Sequence, residues 1–449
     1  MREVRRHLGA GAALSVVVQG GPLVAGGFLS VVLARSIGPS GNGRFALVAT
    51  LAGLTAMVAS LGLTAGITYE VSRRRWSVRH AFRTSYVLGL VLGLIGAAVG
   101  VLVFIATRDS VFGGIGIGLA VLALASVPPL LAYQYADAIL LARERYEAYA
   151  ALEISHSATL LLVGVALVFP FGLYGAVIGL PAAAVVGAFA GIFLLSKEGA
   201  RDRTENEADP LPRALRYGVQ SWAANLLQQV NYRFDVIILA GFASNRDVGV
   251  YSVALTMTSV AWVLPQALQT VLLPRAASLD AGALTGEVTA DESDATVAKA
   301  IRHGVLLTVP AGLFIAALLL IAVPVLYGGK FHDSTALGFV LLPGVLMLGI
   351  GKVLSSGIAG RGYPRYTLYI SLIVTPLTLA LYFGLIPPFG PWGAAAASSA
   401  SYGLSALLAL VYFRRVTRIR LRSLLVPLGE DVADYAGLAR LARGWRLGR

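Results

Sequence analysis

Residues 150–195 read AALEISHSATLLLVGVALVFPFGLYGAVIGLPAAAVVGAFAGIFLL. Two apolar runs, 150–169 and 173–195, flank Pro170-Phe171-Gly172. Each run holds the roughly 20 residues that a helix needs to cross about 30 Å of hydrocarbon. A proline and a glycine within three residues stop one helix and let the chain reverse into the next. The stretch therefore reads as a membrane hairpin, and the rest of the chain repeats that pattern. Of 449 residues, 57% are apolar and 13% charged, against about 25% charged in soluble domains. Mean hydropathy is +0.76. Apolar runs recur from Leu14 to Phe413 with short breaks, which leaves no room for a large soluble domain.

Twelve segments can be drawn: 13–34, 45–69, 82–106, 112–141, 150–169, 173–195, 214–241, 249–274, 303–326, 335–358, 364–386 and 392–413. The start, with Arg2, Arg5 and Arg6 before an apolar stretch, resembles a signal peptide. That stretch continues past Pro22 to Ala34 without a convincing cleavage site, so it is read as a retained first helix. The formal charge of +13 would point to nucleic acid in a soluble protein. Here membrane orientation accounts for it. With the amino terminus inside, 29 of the 36 Lys and Arg fall on cytoplasmic segments, and only Arg35, Arg44, Arg108, Arg246 and Lys330 fall outside. Both termini are placed in the cytoplasm, in a multi-pass protein of the cytoplasmic membrane. With no cysteine there is no disulfide, thiolate metal site or thiol nucleophile.

An internal repeat sets the architecture. Val31-Val32-Leu33-Ala34 and Gly43-Arg44-Phe45-Ala46-Leu47 return 206 residues later as Ile237-Ile238-Leu239-Ala240 and Gly249-Val250-Tyr251-Ser252-Val253. Pro170-Phe171-Gly172-Leu173-Tyr174-Gly175-Ala176 returns 218 residues later as Pro388-Phe389-Gly390-Pro391-Trp392-Gly393-Ala394, and Arg143 falls on Arg361 at that offset. The polar stretch from Ser278 to Thr296 supplies the insertion between the two offsets. Six helices per copy is an even number, so both copies enter from one side and are parallel. The expected fold is an all-α polytopic membrane protein of twelve spans in two six-helix lobes. Their bounds are 1–195 and 214–413, with a charged linker at 196–213 and a basic tail at 414–449. Apolar and basic residues interleave from Val432 to Trp445, as in a helix lying on the anionic inner leaflet.

Polar groups inside a span cost a few kcal/mol each and mark function by default. In the seventh segment Ser221, Asn225, Gln228, Tyr232 and Asp235 fall on one face, with Gln229 and Arg233 to its side. Arg233 and Asp235 are two residues apart and point away from each other. Lys352 lies in the tenth segment. The repeat maps it onto Gln134, and maps Asn225 onto Gln19. Either a water-filled path or polar contacts within each lobe would produce that recurrence. Gly89, Gly93, Gly96 and Gly100 read as a helix-packing face. His156, one turn from Glu153, reads as structural, and no second metal-ligand set stands near it.

Several short motifs together resemble Wzx-type polysaccharide flippases of the multidrug/oligosaccharidyl-lipid/polysaccharide superfamily, a MATE-like fold. They are Leu33-Ala34-Arg35-Ser36-Ile37-Gly38-Pro39 with Gly43-Arg44-Phe45-Ala46-Leu47, Val250-Tyr251-Ser252-Val253-Ala254, and Leu273-Pro274-Arg275-Ala276-Ala277-Ser278. Leu326-Tyr327-Gly328-Gly329-Lys330-Phe331, Gly360-Arg361-Gly362 and Ile386-Pro387-Pro388-Phe389-Gly390 complete them. The resemblance covers nearly all of residues 10–413. It implies two lobes around a cavity that opens to each side in turn, carrying a lipid-linked glycan to the outer leaflet. Two features depart from the pattern. Thr375-Pro376-Leu377-Thr378 stands where an asparagine-bearing stretch is expected, and Gln19-Gly20-Gly21-Pro22 replaces the arginines of the lipid II branch. Another polyprenyl-linked glycan is therefore favoured over a peptidoglycan precursor.

The expected activity is transport, not enzymatic chemistry. Arg233 and Lys352 are the cations available to a phosphate, and Asn225, Gln228, Gln229, Gln19 and Gln134 can hydrogen-bond sugar hydroxyls. Asp235 is the candidate for coupling to a proton or sodium gradient, and Arg143 with Arg361 for a cytoplasmic gate. No metal or other cofactor is called for, and the chain has no P-loop. The expected partners are the lipid-linked oligosaccharide, membrane lipids and other polysaccharide-assembly proteins, not nucleic acid. The rivals are a drug or cation antiporter, which needs an acidic cavity, and a membrane glycosyltransferase or polymerase, disfavoured by extracytoplasmic loops of about ten residues or fewer.

Overall fold

The computed structural model describes residues 2–201, 210–263, 265, 290–361, 363 and 365–417. Among them there is no strand. The helices are α1 (Arg2–Ala59), α2 (Leu63–Ser72), α3 (Val78–Thr107), α4 (Ile117–Leu124), α5 (Val127–Ala142), α6 (Tyr146–Arg201) and α7 (Pro210–Phe242). After them come α8 (Asn245–Ser259), α9 (Ala290–Ala322), α10 (His332–Gly360) and α11 (Arg365–Val416). The protein is an all-helical membrane protein. Seven apolar helical stretches are long enough to cross a bilayer, and those at Gly21–Ala59, Tyr146–Glu198 and Arg365–Val416 run to 39, 53 and 52 residues. Each of these three contains one non-helical glycine, Gly38, Gly172 or Gly390. At about 20 residues per crossing each has room for two spans.

The hairpin read from Pro170-Phe171-Gly172 is present. Gly172 has φ 57° and ψ −131°, and Gly390, 218 residues on, has φ 53° and ψ −132°. A side chain is strained in that left-handed region, so the sequence supplies glycine. The next turn matches too. A methyl group on Gly175 would overlap the Leu167 carbonyl oxygen, and one on Gly393 would overlap that of Leu385. The predicted fourth span is interrupted between α4 and α5, just before Pro128 and Pro129, because prolines near a helix start cannot continue the preceding ladder. The predicted linker is partly helical, since α6 continues to Arg201 and α7 begins at Pro210. Most of the insertion at 278–296 and of the tail lies outside the described residues, as does much of the eighth span.

The predicted glycine face packs as read. Gly89 and Gly93 meet the Tyr135 ring and Pro128 of α5, and a Cβ on Gly96 would lie 2.6 Å from that of Ala59. The other side of α3 presents Val87, Leu94, Ile95, Val99 and Leu102 outward, as a lipid-facing helix must. Compact packing groups the chain into two units that are not contiguous in sequence. The first comprises Met1–Met257, Leu319–Gly338 and Thr375–Ser398, and the second Thr258–Leu318, Phe339–Val374 and Ser399–Arg449. In the first, Leu29 and Leu33 of α1 pack on Val168 and Ala176 of α6. In the second, Ile301, Val353, Leu354, Ile358 and Phe413 form the core.

Within the first unit, α1 and α2 meet α7 and α8 at two places. Trp222 Nε1 donates to the Met57 carbonyl at 3.0 Å, Tyr69 stacks on Tyr217 at 4.2 Å, and Arg213 reaches Glu70 at 3.4 Å. At the other place Gly43 faces Gly249, its counterpart in the repeat. A methyl on Gly43 would overlap the Asn245 carbonyl oxygen, and one on Gly249 would overlap that of Pro39. Pro39 and Asn245 are themselves 206 residues apart, so the contact is reciprocal, as across a twofold axis.

Candidate substrate-binding site

Helix α7 carries the polar face read from sequence, and the structure divides it. Asp235 is fully buried. Its Oδ1 accepts from the Val236 amide at 2.8 Å, and its Oδ2 accepts from Tyr251 of α8 at 2.6 Å and Ser398 of α11 at 3.5 Å. The Tyr382 hydroxyl lies 3.0 Å from the Ser398 Oγ and donates to the Asn231 carbonyl at 3.3 Å. One turn before Asp235, the buried Asn231 donates through Nδ2 to Thr375 Oγ1 at 3.2 Å, and that hydroxyl donates to the Leu227 carbonyl at 3.3 Å. The Asn231 Oδ1 is buried and has no hydrogen-bond partner among the described residues. Three donors converge on Asp235 and it donates to none, the pattern that suits an ionised carboxylate.

Arg233 is placed differently. Its side chain is exposed and forms no ion pair or hydrogen bond among the described residues. The amides read beside it, Gln228 and Gln229, are half-buried, and Gln228 hydrogen-bonds Tyr232 one turn on. Gln134 of α5 is half-buried and makes no hydrogen bond among the described residues. Gln19 and Asn225 lie on α1 and α7, and their side chains fall outside the described residues. In the second unit the Lys352 Nζ stands 4.7 Å from the centre of the Trp262 ring, and Trp262 meets Tyr402 edge-on at 6.3 Å. Arg143 directly follows α5 and is half-buried, whereas Arg361 directly follows α10 and is buried. Cations suit the carbonyl-rich ends of helices.

Sequence reasoning missed Asn231 and the hydroxyl shell of Asp235. One signal was available, the Thr375–Thr378 stretch noted as a departure, for both threonines are buried. It also missed Asp137 of α5, whose Oδ1 is buried without a hydrogen-bond partner among the described residues. The structural reading of His156 holds: its ring stacks on Tyr133 at 4.5 Å, and the Tyr133 hydroxyl donates to Glu153. Among the described residues no group of three or more His, Cys, Asp or Glu could hold a metal ion.

The family model described as "Polysaccharide biosynthesis protein" matches residues 32–336. The chain belongs to this family. No curated protein matches it by sequence. Among solved structures it is similar to lipid II flippase MurJ in an inward closed conformation, at 14% identity, 92% of this chain, 91% of that one and a TM-score of 0.72. It is also similar to an inward-facing multidrug resistance MATE family transporter of the MOP superfamily, at 16% identity, 90% and 98% coverage and a TM-score of 0.69. A MOP superfamily transporter from Pyrococcus furiosus Vc1 matches at 16% identity, 91% and 94% coverage and a TM-score of 0.62. At these identities the likeness is one of fold. This family member is a membrane protein of polysaccharide biosynthesis with the fold of flippases and transporters.

Proposed function

We propose that this polysaccharide biosynthesis protein is an alternating-access flippase that moves a polyprenyl-phosphate- or pyrophosphate-linked oligosaccharide from the inner to the outer leaflet. It does so without enzymatic chemistry, in the cytoplasmic membrane, from two parallel six-helix lobes with both termini inside. The lipid tail stays in the bilayer while sugar and phosphate cross in a hydrated path. The observation that supports this most is the division of α7: its cation is exposed and ion-pair-free among the described residues, while its carboxylate is buried behind hydroxyls. That polarity suits an anionic headgroup and disfavours the antiporter reading, which needs an accessible acid. Arg233 takes the phosphate, and Gln228 and Gln229 take sugar hydroxyls. Asp235 serves the driving force: a buried carboxylate supplied only with neutral donors suits a small cation or proton that enters and leaves during the cycle.

The test is translocation of a fluorescent polyprenyl-pyrophosphate disaccharide by the full chain in proteoliposomes. Arg233→Ala loses a charged hydrogen bond of about 1.5–3 kcal/mol, so transport falls about ten- to a hundredfold at unchanged protein level. Arg233→Lys keeps the point charge without the fork and falls between. Equal transport by all three would overturn the assignment, and uptake of an organic cation in place of the lipid would establish the antiporter.

A further inference from the structure

The two ends of α11 meet at one end of the helix pair that bends at Gly390. Tyr366, near its start, stacks on Tyr412, near its finish, with ring centres 4.9 Å apart and planes 25° apart. Tyr363 and Tyr369 flank Tyr366 at 5.9 and 6.0 Å. Two guanidiniums attach to this group of rings: Arg365 lies 5.5 Å from the Tyr366 ring centre, and Arg415 lies 5.6 Å from that of Tyr412. Arg365, Arg415, Tyr363 and Tyr369 are exposed.

What this patch lacks is an acceptor. Among the described residues no carboxylate pairs with Arg365 or Arg415, and none of the four phenolic hydroxyls makes a hydrogen bond. A packed group of donors with no acceptor of its own matches a ligand that is nearly all acceptor and negatively charged. Phosphate is such a group. Below Arg365 on the same face, Leu368, Leu372 and Ile373 are exposed large apolar side chains. A guanidinium and phenol cap above an apolar stripe has the polarity of a phospholipid standing beside the helix, headgroup at the rim and acyl chains along the stripe. An aromatic belt alone would not hold guanidiniums on its ring faces, and a basic rim alone would not need four rings.

We propose that this aromatic and arginine platform at the ends of α11 is a binding site for the phosphate headgroup of an anionic inner-leaflet phospholipid. The leaflet rests on the positive-inside reading, which puts Arg361, Arg365, Arg414 and Arg415 on the cytoplasmic side. The site is distinct from the Arg233 region and is tested by binding, so either can fail without the other.

The experiment is native mass spectrometry of the full chain in detergent with phosphatidylglycerol, phosphatidylcholine, undecaprenyl phosphate or inorganic phosphate. The expected result is retention of phosphatidylglycerol over phosphatidylcholine, weakened about tenfold in R365Q/R415Q. Tyr366→Leu should weaken it as well, by releasing the guanidiniums from their rings. Equal retention of both phospholipids overturns the proposal, as does unchanged phosphatidylglycerol binding in the double variant. Preference for undecaprenyl phosphate would move the site to the transported lipid and overturn it. So would competition by inorganic phosphate as strong as by the lipid, which would mark a free-anion site. Transport of the fluorescent lipid-linked disaccharide is measured on the same preparations and confirms that they are folded.

Discussion

The carboxylate of Asp235 and the ammonium of Lys352 are both withdrawn from water, and the protein stabilises them in opposite ways. Asp235, in the first compact unit, is enclosed by directional donors: a backbone amide, a phenol and a serine hydroxyl from three helices. Lys352, in the second, is half-buried and lies over an indole face, whose quadrupole attracts a cation without fixing its orientation. The first arrangement defines a small space and a geometry. The second holds a charge loosely and lets it move. A small ion suits the former, and a bulky, variable anion suits the latter.

The largest effect that could break this contrast is at Asp235. Asp235→Leu leaves the Tyr251 and Ser398 hydroxyls buried beside an apolar group, at about 1–3 kcal/mol each, so stable protein should be lost. Asp235→Asn keeps shape and an acceptor but removes the charge. Its expected outcome is a normal membrane level, read by size-exclusion of the solubilised protein, with transport and its dependence on an imposed ion gradient abolished. Loss of stable protein in Asp235→Asn too would make the cluster a structural polar core and remove the coupling role.

A smaller change sharpens the same side. Tyr251→Phe removes one short hydrogen bond to the carboxylate and leaves the ring in place. A bond of that kind contributes about 1.5–3 kcal/mol. If the shell sets ion affinity, the ion concentration that gives half-maximal transport should shift about tenfold or more while the maximal rate changes little. An equal fall in rate at all ion concentrations, with no shift, would show that Tyr251 only supports packing.

Much of this fold could be read from the chain, and less of the site. Gly172 and Gly390 were legible because only glycine serves where the chain reverses at positive φ, and the flanking prolines mark the same place. Gly89 and Gly93 were legible because a run of small residues at helical spacing has few uses other than close packing. Ser398 and Thr375 were not. A hydroxyl in a membrane helix usually bonds its own preceding turn, as Ser252 does to Val248 and Thr308 to Gly304. Nothing in one helix shows which hydroxyl has instead turned to a neighbour. Asn231 was passed over because the face drawn through Gln228 and Tyr232 left it to one side, although its spacing to Asp235 is one turn. Arg233 and Asp235 were read as pointing apart, and one is exposed and the other buried.

The smallest expected effect lies on the Lys352 side. A cation on an aromatic face is worth about 0.5–2 kcal/mol, so removing the ring should shift affinity modestly without unfolding the protein. Trp262→Leu, Lys352→Arg and the double variant form a cycle, read as the concentration of lipid-linked disaccharide at half-maximal transport. Arginine retains the charge and stacks on indole at least as well as lysine, so Lys352→Arg should stay near wild type while Trp262 is present. With Leu at 262 the advantage of stacking is gone, and the two changes should be non-additive by about 0.5–2 kcal/mol. Additivity would mean that the indole does not position the ammonium for substrate. The contrast between a geometrically fixed carboxylate and a loosely held cation would then rest on Asp235 alone.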